Sequence, residues 1–239
     1  MPVDVRAFTC KAGRDLWVID VAMPLPQRPF SSVAHVATEC IAIADRTAEL
    51  FADESALIER AAVKRREQFS SGRVAAHRLF ARLSGEPLPV LRGEGRAPRW
   101  PAGWIGSISH GAQYALAALA SLAHVGGIGV DVEARGRLTA KMLRLIMTPD
   151  EVARANGDLD RALVVFSAKE SLYKALQPRV GGFIGFHDVE VDVDHSEFRA
   201  RYRGQRDLSA AVAACRGYAL CGDDAVATLV VLPAEGAPL

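Results

Sequence analysis

Cysteine is scarce and scattered in this chain. Cys10, Cys40, Cys215 and Cys221 form no close CxxC pair, so the spacing offers neither a zinc site nor a dense disulfide framework and reads as reduced thiols of a cytoplasmic protein. Charge of one sign is lacking too. A net charge of +1 over 239 residues argues against a general nucleic-acid binder. No basic segment leads into an apolar run at the N-terminus, so no secretory leader is expected. The Ala-rich run from Tyr114 to Val130 is broken by Ser121, His124 and glycines, and reads as two buried strands rather than a membrane span. No internal repeat is visible, and no Gly-x-Ser-x-Gly elbow is present.

What is present is a hydrophobic half, enough to bury a substantial core as one large domain or two small ones. Alternation and helical periodicity predict strands over 16–21 and 36–43, then a long helix capped by Asp53 and running toward Leu83, with Ser70-Ser71-Gly72 as a break or kink. A Pro/Gly-rich connection over 85–106 leads to strands near 114–121 and 127–133. Thr148-Pro149-Asp150-Glu151 has the form of a capping box with proline in the first turn. A helix is predicted over 160–177, stopping at Pro178, and strands over 186–194, 198–203 and 225–232 complete an α+β fold.

Two short segments carry the chemistry. In Gly129-Val130-Asp131-Val132-Glu133, strand alternation sends Ile128, Val130 and Val132 to one face and Gly127, Gly129, Asp131 and Glu133 to the other. The two carboxylates then lie roughly 6–7 Å apart along the strand. Like charges at that spacing repel unless a cation lies between them, and hard oxygen donors suit magnesium or manganese. The flanking glycines leave room for a ligand to approach the backbone. A solvated strand end that carries two acids by chance is the plainer reading of Asp-Val-Glu alone.

The second segment is Phe166-Ser167-Ala168-Lys169-Glu170-Ser171-Leu172-Tyr173-Lys174. On a helix, Ser167, Glu170, Ser171 and Lys174 fall in one polar stripe about 100° wide, opposite an apolar face of Val164, Val165, Ala168, Leu172, Ala175 and Leu176. Glu170 with Lys174 has the spacing of an ordinary i,i+4 surface pair. Lys169 projects toward the apolar flank, where a snorkelling stem and a phosphate contact are both open readings. Charge is uneven as well. Residues 60–99 hold Arg60, Lys64, Arg65, Arg66, Arg73, Arg78, Arg82, Arg92, Arg96 and Arg99 against Glu67, Glu86 and Glu94, a local net of +7 that would attract a polyphosphate or an acidic protein.

These segments resemble the Sfp-type 4'-phosphopantetheinyl transferases, and within them the enterobactin-synthase-associated subgroup. Three further stretches match in order: Lys64-Arg65-Arg66-Glu67-Gln68-Phe69 with Gly72-Arg73-Val74-Ala75-Ala76, then Gly95-Arg96-Ala97-Pro98-Arg99-Trp100-Pro101, then Gly106-Ser107-Ile108-Ser109-His110. The resemblance spans about residues 55–190. It implies a pseudo-dimer of two similar α+β halves, 1–125 and 126–239, with the active site in the cleft between them. It also implies transfer of the phosphopantetheine arm of coenzyme A to a serine of an apo acyl, peptidyl or aryl carrier protein, in siderophore or other secondary metabolism, by a monomer that needs no membrane or nucleic acid.

By motif position the resemblance assigns a magnesium ion, or manganese in its place, to Asp131, Glu133 and Glu170. Arg65, Arg73, Arg96, Ser109, His110, Lys169 and Lys174 are assigned to coenzyme A, with Arg92 and Arg99 as alternatives to Arg96 because the loop reads Gly-Arg-Ala-Pro rather than Gly-Lys-Pro. Glu170 and Lys174 are the expected catalytic residues, Glu170 as general base directly or through a metal-bound water. Two rival classes stand beside this one: a hydrolase using Ser109, His110 and Asp131 as a triad, and a scaffold that binds carriers or coenzyme A without turnover.

Overall fold

One strand organises the molecule by facing two different cores. In the computed structural model, which describes residues 24–93, 95 and 97–236, the elements run β1 (Val36–Ala42), α1 (Ala52–Ala56), α2 (Val63–Ser84), β2 (Leu91–Arg92), β3 (Pro98–Arg99), β4 (Trp104–His110), β5 (Tyr114–Ser121) and β6 (Val125–Ala134). There follow α3 (Ala140–Ile146), α4 (Pro149–Ala155), α5 (Leu159–Val180), β7 (Val189–Asp194), β8 (Glu197–Tyr202), α6 (Ser209–Ala214), β9 (Arg216–Cys221) and β10 (Ala225–Pro233). The fold is α+β. A three-stranded sheet has the order β1-β5-β4, a five-stranded sheet has the order β6-β10-β9-β8-β7, and β2 with β3 makes a small ribbon. All the recorded strand pairs are antiparallel.

The layers follow from alternation. Ile41, Ala115, Ala117 and Leu119 face Val74, Ala75, Leu79 and Phe80 of α2, and Leu79 and Phe80 are fully buried there. Each such side chain contributes about 1.5–3 kcal/mol relative to exposure. The other face of the same sheet, through Cys40, Leu116, Ala118 and Ala120, meets Ile128, Val130 and Val132 of β6 and Ala225, Ala227, Leu229 and Val231 of β10. The remaining face of that second sheet is covered by α5 through Leu163, Ala168, Leu172 and Leu176. The order is therefore helix, sheet, sheet, helix.

The approach of α5 to β6 depends on glycine. A Cβ at Gly129 would collide with the carbonyl oxygen of Ser171 and lie 2.8 Å from the amide nitrogen of Ala175, and one at Gly127 would lie 2.5 Å from the carbonyl oxygen of Ala175. The glycines next to Asp131 thus admit the backbone of the motif helix, in place of the ligand approach expected from sequence.

Several expected boundaries move. Asp53 lies inside the short helix α1, and the long helix starts anew at Val63. Ser70-Ser71-Gly72 neither breaks nor kinks into separate helices: the Ser71 hydroxyl bonds the amide and carbonyl of Ala44, and the Ser70 hydroxyl accepts from the amide of Arg46. Gly72 makes room for Ile108, whose Cγ2 would stand 2.7 Å from an added Cβ. The motif helix continues through Pro178 to Val180, because a proline in the last turn forfeits only one backbone donor there. The predicted connection to residue 106 overlaps β4, whose run of glycine and serine masks its strand character. The strand predicted at 16–21 falls outside the described residues.

Candidate active site

Asp131 is the hub of a buried polar cluster where β4, β6, α5 and β10 meet. Its Oδ1 accepts from Ser109 Oγ at 2.8 Å and from Lys174 Nζ at 2.9 Å, and its Oδ2 accepts from Ser167 Oγ at 2.9 Å. Lys174 also donates to Ser109 Oγ at 3.0 Å and to the Val130 carbonyl at 2.9 Å. Three donors on the ammonium meet three acceptors, so its position is fixed. β6 aims Asp131 at α5, and residues 167 and 174 lie on the helix stripe that faces it.

Glu170 is left unpaired by this arrangement. The i,i+4 pair with Lys174 does not form, because the Asp131 carboxylate claims the ammonium. Among the described residues Glu170 has no hydrogen bond or ion pair. It is half-buried, and burial pushes its carboxyl above the usual carboxylate range, with Lys174 opposing and Asp131 adding to the rise. Glu133 is likewise raised, first by burial and then by Asp131, while Arg137 opposes. Arg137 forms an ion pair with Glu133 and lies 5.1 Å over the Phe166 ring.

Among the described residues, no group of three or more His, Cys, Asp or Glu side chains is assembled as a metal cage. The expected triad of Asp131, Glu133 and Glu170 is therefore not preformed, since Lys174 and Arg137 supply the counter-charge to two of its members. The donor chemistry nevertheless fits a hard cation. Magnesium is ordinarily held by one or two carboxylates together with substrate phosphates, and Glu170 is uncommitted.

The basic helix reaches the same cluster through His110. Arg65 Nη1 stands 2.9 Å from His110 Nε2, which must accept, so Nδ1 carries the proton and is buried without a partner among the described residues. Burial first, and Arg65 next, lower the His110 pKa and keep the ring neutral. One and two turns along α2, Phe69 and Arg73 continue the line: the Arg73 guanidinium lies 4.5 Å over the Phe69 ring and the Arg65 guanidinium 5.9 Å from it. Arg73 is buried, which brings its pKa down to about 10, and its Nε is 3.9 Å from Glu54. Glu54 is itself pinned by the amides of Phe51 and Val90 and by His77 Nε2 at 3.0 Å. Sequence reasoning missed Glu54 because Asp53 beside it looked like the cap.

Part of the predicted basic patch is spent internally. Arg78 and Arg82, though at the surface, pair with the buried Glu39, while Arg60, Lys64, Arg65, Arg92 and Arg99 are also exposed. Arg96 lies outside the described residues.

Lys169 is not brought to the cluster. Its ammonium is buried and donates to Glu151 Oε2 at 2.6 Å, to the Phe186 carbonyl at 2.7 Å and to the Ile146 carbonyl at 3.1 Å. Burial lowers its pKa while Glu151 pulls it back. Glu151 also closes the capping box on the Thr148 amide at 2.7 Å and accepts from the Val191 amide at 2.7 Å. The contact with coenzyme A assigned to Lys169 is thus replaced by an internal ion pair. The hydrolase triad finds no support either, for His110 turns to Arg65 while Ser109 donates directly to Asp131.

A family model described as the 4'-phosphopantetheinyl transferase N-terminal domain matches residues 53–120, and one described as the 4'-phosphopantetheinyl transferase superfamily matches residues 127–230. The chain is 36% identical over 165 residues to 4'-phosphopantetheinyl transferase Svp of Streptomyces mobaraensis, covering 66% of this chain and 67% of that one. It is 30% identical over 197 residues to 4'-phosphopantetheinyl transferase PptT of Mycobacterium tuberculosis, covering 76% and 82%. It is 39% identical over 134 residues to enterobactin synthase component D of Salmonella austin, covering 54% of each chain.

Proposed function

Because the chain belongs to the 4'-phosphopantetheinyl transferase superfamily and is an enzyme of that class, we propose that it moves the phosphopantetheine arm of coenzyme A to a serine of an apo carrier protein. The observation that carries this reading is the Ser109–Asp131–Lys174 cluster, built by β4, β6 and α5, beside an unpaired Glu170. The carrier is peptidyl, aryl or acyl, and siderophore or related secondary metabolism is its setting, in keeping with the likeness to enterobactin synthase component D. The proposed state is a cytoplasmic monomer divided near residue 125, where β6 begins, into two similar halves with the site between them. Each half contributes an antiparallel sheet and one 22-residue helix.

In the reaction the serine oxygen bonds to the phosphorus that carries the pantetheine arm. The bond from that phosphorus to the bridging oxygen breaks, and 3',5'-ADP leaves with that oxygen. Arg65 and Arg73 of α2 bind phosphate oxygens, the guanidinium forks suiting the 3'-phosphate, and His110 of β4 acts beside them by accepting from Arg65. By motif position Arg96, with Arg92 and Arg99 as alternatives, is assigned to coenzyme A as well. Ser109 lies on the floor, where its one proton goes to Asp131 and its oxygen accepts from Lys174, so it holds both in place. Lys174, held on three acceptors, presents a fixed positive charge to the pyrophosphate. Glu170 takes the serine proton, a role open to a carboxylate that has no side-chain hydrogen bond or ion pair among the described residues. Asp131, Glu133 and Glu170 would hold a magnesium ion. The ion supplies charge neutralisation at the phosphate oxygens and the leaving group.

The test is release of 3',5'-ADP from coenzyme A by the purified protein with and without an apo carrier, followed by chromatography. Carrier-dependent release that is lost in Asp131→Asn is expected. Release without any carrier would favour a hydrolase and overturn the reading.

A further inference from the structure

Thr228 is the single polar residue of β10, a strand otherwise apolar and almost wholly buried. It lies directly opposite Asp131 in the register of β6 and β10. A buried hydroxyl among apolar neighbours costs free energy unless it is bonded, and its bonds run to the motif helix. Thr228 Oγ1 is 2.9 Å from Ser167 Oγ and 2.7 Å from Ser171 Oγ, and Ser171 Oγ is 3.2 Å from the carbonyl oxygen of residue 228. Ser167, Ser171 and Thr228 are all shut off from solvent.

Each hydroxyl has one proton, so Ser171 donates either to Thr228 Oγ1 at 2.7 Å or to the carbonyl of residue 228 at 3.2 Å, and the shorter contact sets the direction of the chain. The Asp131 carboxylate, paired with Lys174, only accepts, so Ser167 donates to its Oδ2. Ser167 then accepts from Thr228, and Thr228 accepts from Ser171. The sequence of donation is Ser171 to Thr228 to Ser167 to Asp131. It ends on the carboxylate whose other oxygen holds Lys174 and Ser109.

We propose that Thr228 is a positioning residue for phosphopantetheine transfer, acting through Ser167 on the Asp131 carboxylate and through it on Lys174 and Ser109. The inference rests on the transferase reading above. The terminal torsion of an aspartate is broad and soft, and Ser167 is the one described partner of Oδ2. With Ser167 no longer fixed by Thr228, the carboxylate turns, and Oδ1 moves Lys174 and Ser109 with it. Constellations of this kind work only when held within about 0.5 Å of the productive geometry.

Steady-state transfer kinetics of wild type, Thr228→Val and Thr228→Ser, with coenzyme A and an apo carrier, test this. Valine keeps the volume and branching, while Ser171 retains the backbone carbonyl and Ser167 retains Asp131 as acceptors, so the fold survives, as thermal melting will verify. The expected result is a roughly tenfold lower kcat for Thr228→Val, a KM for coenzyme A within about twofold, and recovery of most of kcat in Thr228→Ser. Wild-type kcat in Thr228→Val, a raised KM with kcat intact, or equal losses in both variants would overturn the positioning role. If the valine variant does not fold, Ser167→Ala cuts the link to Asp131 directly and carries the same expectations. A wild-type protein that transfers nothing removes the underlying reading, and this inference with it.

Discussion

Replacing Lys169 by methionine decides whether the motif lysine works inside the protein or on the substrate. Its side chain is 3% exposed and gives its three protons to Glu151, Phe186 and Ile146. Methionine nearly matches the volume but donates nothing. Glu151, 1% exposed, is then left with only the amides of Thr148 and Val191. Removing one partner of a buried ion pair costs about 3–5 kcal/mol. In a chain of this size each kcal/mol lowers Tm by about 2–4 °C, so a fall of about 6–20 °C follows. The double variant Lys169→Met/Glu151→Gln removes the stranded charge and recovers part of that loss. Calorimetry reads the stability, and initial rates against coenzyme A concentration read the site, where KM stays within about twofold. An unchanged Tm with KM raised tenfold or more would refute the internal pairing and return Lys169 to the substrate.

Glu170→Gln leaves a half-buried group that has no partner to lose, so Tm is expected to hold within about 2 °C while transfer falls by at least a hundredfold; wild-type-like turnover would remove its role as base. Gly129→Ala forces a methyl into the backbone of α5 at Ser171, and the soluble yield or Tm is expected to drop steeply, whereas Gly136→Ala meets no atom and costs only about 1–2 kcal/mol, the strain of an alanine at φ +76°. Hydrogen bonds from Arg203, aided by Arg154, hold the Glu190 carboxyl below its ordinary value of 4.5. A lowered folded-state pKa gives stability that is present above the unfolded value and lost as pH falls through the folded one. Glu190→Gln should therefore flatten the decline of Tm below about pH 4.5, and an unaltered slope would contradict the pairing.

How far the sequence carried the account depends on what each residue's signal could encode. Alternation in β6 placed Asp131 and Glu133 on the face that meets α5, and the 3.6-residue period placed Ser167 and Lys174 opposite them. The capping box at Thr148 and Glu151 formed as read, since its chemistry is local. Depth was not legible. A helical wheel gives the angle of Lys169 but not the buried Glu151 awaiting it from α4. Nor does i,i+4 spacing reveal that Asp131, distant in sequence, outcompetes Glu170 for Lys174. The glycines beside Asp131 signalled close approach correctly, but the approaching group is the motif helix itself. Thr228 sent a faint signal, one hydroxyl in an apolar strand, whose meaning depends on the register that sets it across from Asp131. β4 was obscured because glycine and serine at its centre have low strand propensity, although tertiary packing against Ala115–Ser121 outweighs it.

The most direct test is the intact mass of an apo carrier protein after incubation with this enzyme, coenzyme A and magnesium, beside a control containing chelator. The account predicts a gain of about 340 Da, the mass of the phosphopantetheine arm, that disappears with chelator. No gain on peptidyl, aryl or acyl carriers, with coenzyme A still bound to the protein, would contradict it.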